Sequence, residues 1–362
     1  MELYRTIVRQ WIDSGYYQIN QDLAMHNLYR VFIYVLITCT IFSCTRSGRQ
    51  QAAGNRIRII LDTDANNELD DQHAIVYLLF NSDLFDVEGI TVNATFNGGG
   101  VANHFDEAER IVKLCNLYPQ LKIYNGTDGN YQDIAGKVNE KRFDGSEAID
   151  FIIRRAKAKD DRKLVLLAIG KLTNVTLALK KDPSIEDKVR IVWLGTNYPA
   201  PGEYNLVNDT SAVNPVLQSN AEFEIVTVRY DEDTGTAAVI AYLEDIKRIM
   251  PGKGPHIVEP VTGRHGGQFT NFGDYSVELF EKFEGSPQSR PLFDMAAVAI
   301  LKNPSWAERK TIPAPKLVGE GWKEQQRNPR KVLLWENFDK DSIMADFYRT
   351  MEFYTLASDR SR

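Results

Sequence analysis

Between Asp62 and Asp71 the chain places Asp62, Asp64, Glu68, Asp70 and Asp71, with Thr63, Asn66 and Asn67 among them. Carboxylates this close repel one another when ionised. A divalent cation relieves that repulsion, and an all-oxygen donor set of this kind suits calcium or magnesium. A plainer explanation is a helix start, where the dipole favours acidic residues. It covers Asp70 and Asp71 but gives Asp62 and Asp64 no reason to be acidic. The pair Asp62 and Asp64 therefore points to a metal site.

The elements around these acids are those that would hold them in place. Residues 57–61 form a strand-like apolar run, and Ala74, Ile75, Leu78 and Leu79 recur at helical spacing, so the acids sit in a strand-to-helix loop. Downstream, strands are expected over 87–94, 121–124, 164–169, 189–194 and 223–228. Apolar stripes through Phe105 to Cys115 and Ala148 to Ala156 mark helices. Thr173 is placed to cap a helix through Leu179, and further helices are expected over 234–249, 276–283, 293–301 and 340–356. Strands alternating with helices predict a mostly parallel, open α/β sheet with helices on both faces, and nothing divides residues 56–362 into parts. Such sheets bind ligands outside the carboxyl ends of their strands. Four loops lie there: 62–71, 95–100, 169–174 and 195–209. The last holds Asn197, Glu203, Asn205, Asn208 and Asp209. Any one of these Asn residues could serve only turn chemistry, but four polar loops meeting at one sheet edge make a site.

Bulk composition narrows the function classes. The chain has 362 residues, 43% hydrophobic and 25% charged, an ordinary globular balance. Its formal net charge of −6 argues against a nucleic-acid binder. Cys39, Cys44 and Cys115 are too few for a disulfide framework, and Cys115, on a helical stripe, reads as core. Residues 31–42 are apolar, about the length of a signal-peptide core and short for a membrane span. They lead into Ile41-Phe42-Ser43-Cys44, which resembles a bacterial lipoprotein processing site. The expected organisation is an upstream extension over 1–24, a lipoprotein-type signal segment over 25–44 beginning at Met25, a polar linker over 45–55 and the α/β body over 56–362. An uncleaved signal anchor is the alternative. Either places the body in the cell envelope, periplasmic or on the outer surface, with the membrane reached only through the N-terminal anchor.

Four motifs in order resemble the calcium-dependent nucleoside hydrolases, the inosine-uridine preferring family. They are Asp62, Asp64, Asp70 and Asp71; Gly170-Lys171-Leu172-Thr173-Asn174; Asn197 with Glu203-Tyr204-Asn205; and Phe293-Asp294 at a helix start. The resemblance runs from about Arg56 to Leu301. It implies that Asp64, Asp71, Asp294 and the Ile169 carbonyl bind Ca2+. Asp70, Asn197, Glu203, Asn205 and Asp294 would hold the ribose hydroxyls, Asp62 would brace the loop from behind, and Asn97 would lie near the reacting sugar. Asp64 would take a proton from a calcium-bound water that attacks the anomeric carbon. The residue types suit this chemistry, because carboxylates and amides around the ring stabilise a cation-like ribosyl state. The family also implies a dimer or tetramer.

Two departures stand out. The spacer Ala65 to Leu69 is two residues longer than the family's usual one, so Asn66, Asn67 or Glu68 is expected to reach the substrate. Phe293 stands where the purine-processing branch has His, and a phenyl ring cannot protonate a departing base. The earlier His-Gly of the base pocket is matched most nearly by Asp144-Gly145. His265, in a glycine-rich loop, is the substitute acid considered first; Tyr204 and His104 are others, and His73 reads as structural. The expected function is hydrolysis of the N-glycosidic bond of a ribonucleoside or related riboside. The alternatives are a calcium-dependent riboside-binding protein with little chemistry, and a metal-free glycan hydrolase using a carboxylate pair.

Overall fold

The computed structural model describes residues 56–283 and 288–360. The apolar run over 31–42 and Cys44 lie outside the described residues, and among those described no helix is long and apolar enough to cross a membrane.

Eight strands form one sheet. They are β1 (Ile57–Thr63), β2 (Phe85–Val92), β3 (Ile123–Asn125), β4 (Leu164–Ala168), β5 (Val189–Thr196), β6 (Glu222–Thr227), β7 (Glu308–Pro313) and β8 (Lys331–Glu336), in the order β7-β8-β6-β5-β4-β1-β2-β3. All neighbours pair parallel except β7 with β8. The central strands are apolar along their whole length because both faces are covered. Side chains alternate between the faces. Ile59 and Leu61 of β1 enter the core under α1 (Asp70–Leu79) and α2 (Val101–Leu114), while Ile60 enters the core under α3 (Ser146–Ala156) and α4 (Thr173–Lys181). The first core is completed by α5 (Phe272–Lys282), α6 (Phe293–Lys302) and α7 (Lys340–Glu352). Cys115 is a free thiol in that core.

The chain runs outward from β1 through β2 to β3, then returns to β4 and runs the other way to β6. The strand order thus reverses between β1 and β4, where a crevice opens beyond the carboxyl ends. The acidic loop after β1 and Ile169 after β4 flank that crevice.

The structure departs from expectation in three places. Residues 234–249 are not one helix. A short turn at Thr236–Ala238 leads to a strand at Ile240–Tyr242, which pairs antiparallel with Ser289–Pro291 before a helix at Leu243–Ile249. Thr173 does not cap α4. It is the first helical residue, and its hydroxyl donates to Asp209 Oδ2 at 2.6 Å. Strands β7 and β8 went unread: β7 is polar and exposed, as an edge strand ending in proline can be.

Candidate active site

Two helix starts converge beyond β1. Helix α1 opens with Asp70 and Asp71, α6 opens with Phe293 and Asp294, and the two helices pack together. Neither has a side-chain cap, which leaves the positive ends of both dipoles beside the acids. Asp70, Asp71 and Asp294 are buried and bring one carboxylate oxygen each within 4.8 Å of the others. Burial pushes the Asp71 and Asp294 carboxyls well above the ordinary range. The neighbouring charges add to it: Asp64 and Asp70 at Asp71, and Asp70, Asp71 and Asp64 at Asp294. Buried, hard oxygen donors that repel one another are a fit for a metal ion. The trio contains Asp70 where the resemblance implied Asp64; the Asp64 carboxyl stands just beside it.

Asp64 ends the strand-to-loop transition, its carbonyl closing a turn with the Asn67 N–H at 2.9 Å. Its Oδ2 accepts from Thr95 Oγ1 at 2.6 Å and from Asn67 Nδ2 at 3.2 Å. Burial raises this carboxyl to about 7, with the charge of Asp70 adding to the effect. A carboxylate of that basicity can take a proton near neutral pH.

Asp62 lies behind the pocket. Its Oδ1 accepts from Thr91 Oγ1 at 2.6 Å and Asn174 Nδ2 at 2.7 Å, and its Oδ2 from Asn93 Nδ2 at 3.0 Å. It joins β1, β2 and α4 beneath the acidic loop. Replacing Asp62 with Ala orphans these buried donors and is expected to cost about 3 kcal/mol. The denaturant midpoint reads this, and an unchanged midpoint would remove the bracing role.

The opposite wall comes from the segment after β5. Glu203 has φ of 120°, a conformation L-residues avoid, held while its carboxylate accepts from Leu206 N–H at 3.0 Å. Burial raises its carboxyl to about 7. Asn205 Nδ2 donates to the carbonyls of Ile169 (2.9 Å) and Leu194 (3.0 Å), tying the ends of β4 and β5 together. Tyr204, Tyr230, Arg290 and Phe293 complete the lining. The pocket measures about 220 Å³, room for roughly seven waters, so a sugar fits within it.

Several expected residues lie elsewhere. Asn97 is exposed on its turn and does not line the pocket; its N–H donates to the Tyr204 hydroxyl at 3.0 Å. Asn197 is also outside the lining, because its Oδ1 is taken by the Tyr230 N–H at 3.3 Å. His265 is exposed in the turn between Val261–Gly263 and Gly266–Phe269, against Arg264 Nε at 3.1 Å, and is not part of the lining. His73 is buried between the Leu69 carbonyl and the Ser276 hydroxyl, and His104 meets the Asn66 N–H at 3.1 Å. Asp144 accepts from the Asp128 and Gly129 N–H groups, a turn role. Of the longer spacer, Asn67 and Glu68 line the pocket, while Asn66 reaches the Gly98 carbonyl at 2.7 Å. Arg290 and Tyr230 were missed. Arg290 sits three residues before Phe293, in a strand paired with Ile240–Tyr242 that was not expected.

The model of the inosine-uridine preferring nucleoside hydrolase family matches residues 59–344. Probable uridine nucleosidase 1 of Oryza sativa subsp. japonica is 28% identical over 225 residues, covering 56% of this chain and 66% of that protein. Uridine nucleosidase 1 of Arabidopsis thaliana is 28% identical over 200 residues, 48% of this chain and 57% of that protein. The chain thus spans less than two thirds of the length of both relatives. The solved structure of the purine-preferring ribonucleoside hydrolase from Gardnerella vaginalis matches with a TM-score of 0.60 at 20% identity, over 81% of this chain and 98% of that one, a likeness of fold.

Proposed function

Because the chain belongs to the inosine-uridine preferring nucleoside hydrolase family, we propose that it hydrolyses the N-glycosidic bond of a ribonucleoside or a related riboside. The observation that carries this reading is the buried trio Asp70, Asp71 and Asp294 with Asp64 beside it, in a pocket of sugar size. The names of the plant relatives support uridine as the first substrate to try.

In this reading Asp70, Glu203 and Asn205 hold the ribose hydroxyls. Asp64 accepts the proton of the attacking water, whose oxygen bonds to the anomeric carbon as the bond to the base breaks. Carboxylates around the ring stabilise the cation-like sugar. Asp71 and Asp294, with Asp70 or Asp64 and the Ile169 carbonyl, would hold calcium. When bound, calcium supplies a charge that orients water and a vicinal diol. Arrival through a lipoprotein-type leader would set this chemistry in the cell envelope.

Incubation with a panel of ribonucleosides is expected to release free ribose, read by a reducing-sugar assay, with 2′-deoxyribosides cleaved far more slowly. Phe293 favours a second reading, a binder that holds ribosides without cleaving them. Saturable binding without ribose release would establish that reading and end the first.

A further inference from the structure

Phe293 leaves the departing base without an imidazole, yet the same wall of the pocket carries a cation. Arg290 lies in the strand Ser289–Pro291, with its guanidinium carbon 4.9 Å from the centroid of the Phe293 ring and 5.5 Å from that of Phe283. Its Nη2 pairs with Glu68 and stands 3.5 Å from Asp70 Oδ1. Its Nε is buried and has no acceptor. A guanidinium does not give up a proton in proteins, so Arg290 is no general acid. What it offers is a planar fork of charged donors in the pocket wall, held on Glu68 in this structure.

We propose that Arg290 receives the leaving group: the base departs as an anion and is held by charge-assisted hydrogen bonds to the guanidinium, in place of protonation by histidine. This rests on the nucleosidase reading above. In the step, the electron pair of the C1–N bond goes to the base nitrogen. Water oxygen bonds to C1, and the water proton passes to Asp64. The base anion is protonated after release. The substrate class follows from the balance. It is a riboside of an acidic N-heterocycle with a carbonyl beside the glycosidic nitrogen, so that the charge spreads over an N–C–O edge that a planar fork can match. A riboside whose base must be protonated before it can leave is a poor substrate.

Glu68 completes the device. It belongs to the lengthened spacer, and its carboxylate occupies the guanidinium when no anion is there. The anion forming on the base thus competes with Glu68 for Arg290.

The test is a set of substituted phenyl β-D-ribofuranosides running from p-nitrophenyl to phenyl, with uridine, cleaved by the wild-type chain, R290Q and R290K. R290Q is expected to lose about a hundredfold or more in kcat/KM on uridine and phenyl riboside, but less than about tenfold on p-nitrophenyl riboside, whose anion needs no help. The plot of log kcat/KM against leaving-phenol pKa therefore steepens in R290Q, and R290K recovers part of the loss. An equal loss across the series would make Arg290 only a counterion of Asp70 and overturn the proposal, as would no loss at all. A wild-type chain that leaves even p-nitrophenyl riboside intact would sink the nucleosidase reading, and this one with it. Normal cleavage by wild type with an unchanged slope in R290Q would sink this one alone.

Discussion

Asp64→Asn is expected to lower kcat on uridine by about 10³-fold or more, while the protein melts at the same temperature or slightly higher. An amide can still accept from Thr95 Oγ1 and take a contact from Asn67, the two partners that fix this side chain. It cannot take a proton. It also removes one charge from a crowd in which Asp70, Asp71 and Asp294 already repel one another, so the fold has reason to gain. Turnover and melting are therefore expected to move independently, which separates a lost base from a damaged pocket. The wild-type pH–rate profile adds a second check. Turnover should fall on the acid side as the base becomes protonated, and that limb should vanish in the residual rate of the variant. Retained turnover in Asp64→Asn would remove Asp64 from the chemistry.

How far the sequence could be read followed from how local each signal was. Strands β1, β4 and β5 were legible because burial on both faces makes them continuous apolar runs. The acidic loop was legible because carboxylates at such density need a reason beyond a helix cap. Asp294 was legible only through the motif resemblance, since nothing within residues 293–301 says that α6 lies against α1. Arg290 was not legible. Residues 234–249 were expected as one helix, whereas Ile240–Tyr242 pairs with Ser289–Pro291, a long-range contact that no window of neighbouring residues displays. Asn97 and Asn197 fall outside the pocket lining: Asn97 is exposed on its turn, and Asn197 Oδ1 accepts from the Tyr230 N–H. The same locality explains why Asp70, rather than Asp64, completes the closest carboxylate trio. Asp64 spends Oδ2 on Thr95, just beyond the neighbouring strand β2, and on Asn67 of its own loop.

Stripping divalent cations should abolish turnover and expose a pH-dependent weakness in the fold. The carboxyl of Asp64 is raised to about 7, and those of Asp71 and Asp294 well above their ordinary values, burial being the first cause in each case. A carboxyl raised in the folded state helps the fold while protonated, below its unfolded value, and that help is lost as pH climbs through the folded value. In chelator the melting temperature is therefore expected to fall steadily from about pH 5 to about pH 8. Added calcium should compete with the protons for the same oxygens, so its stabilising effect should be small at the acid end and large at the alkaline end. The opposite slope, or the same slope with and without calcium, would mean that Asp70, Asp71 and Asp294 do not hold the ion. Activity divides the remaining mechanisms. A hydrolase that places two carboxyls across a glycosidic bond needs no metal and would keep its full rate in chelator. Here Asp70, Asp71 and Asp294 crowd together with Asp64 beside them, where a cation lets all of them stay ionised, so turnover and alkaline stability should return at the same calcium concentration.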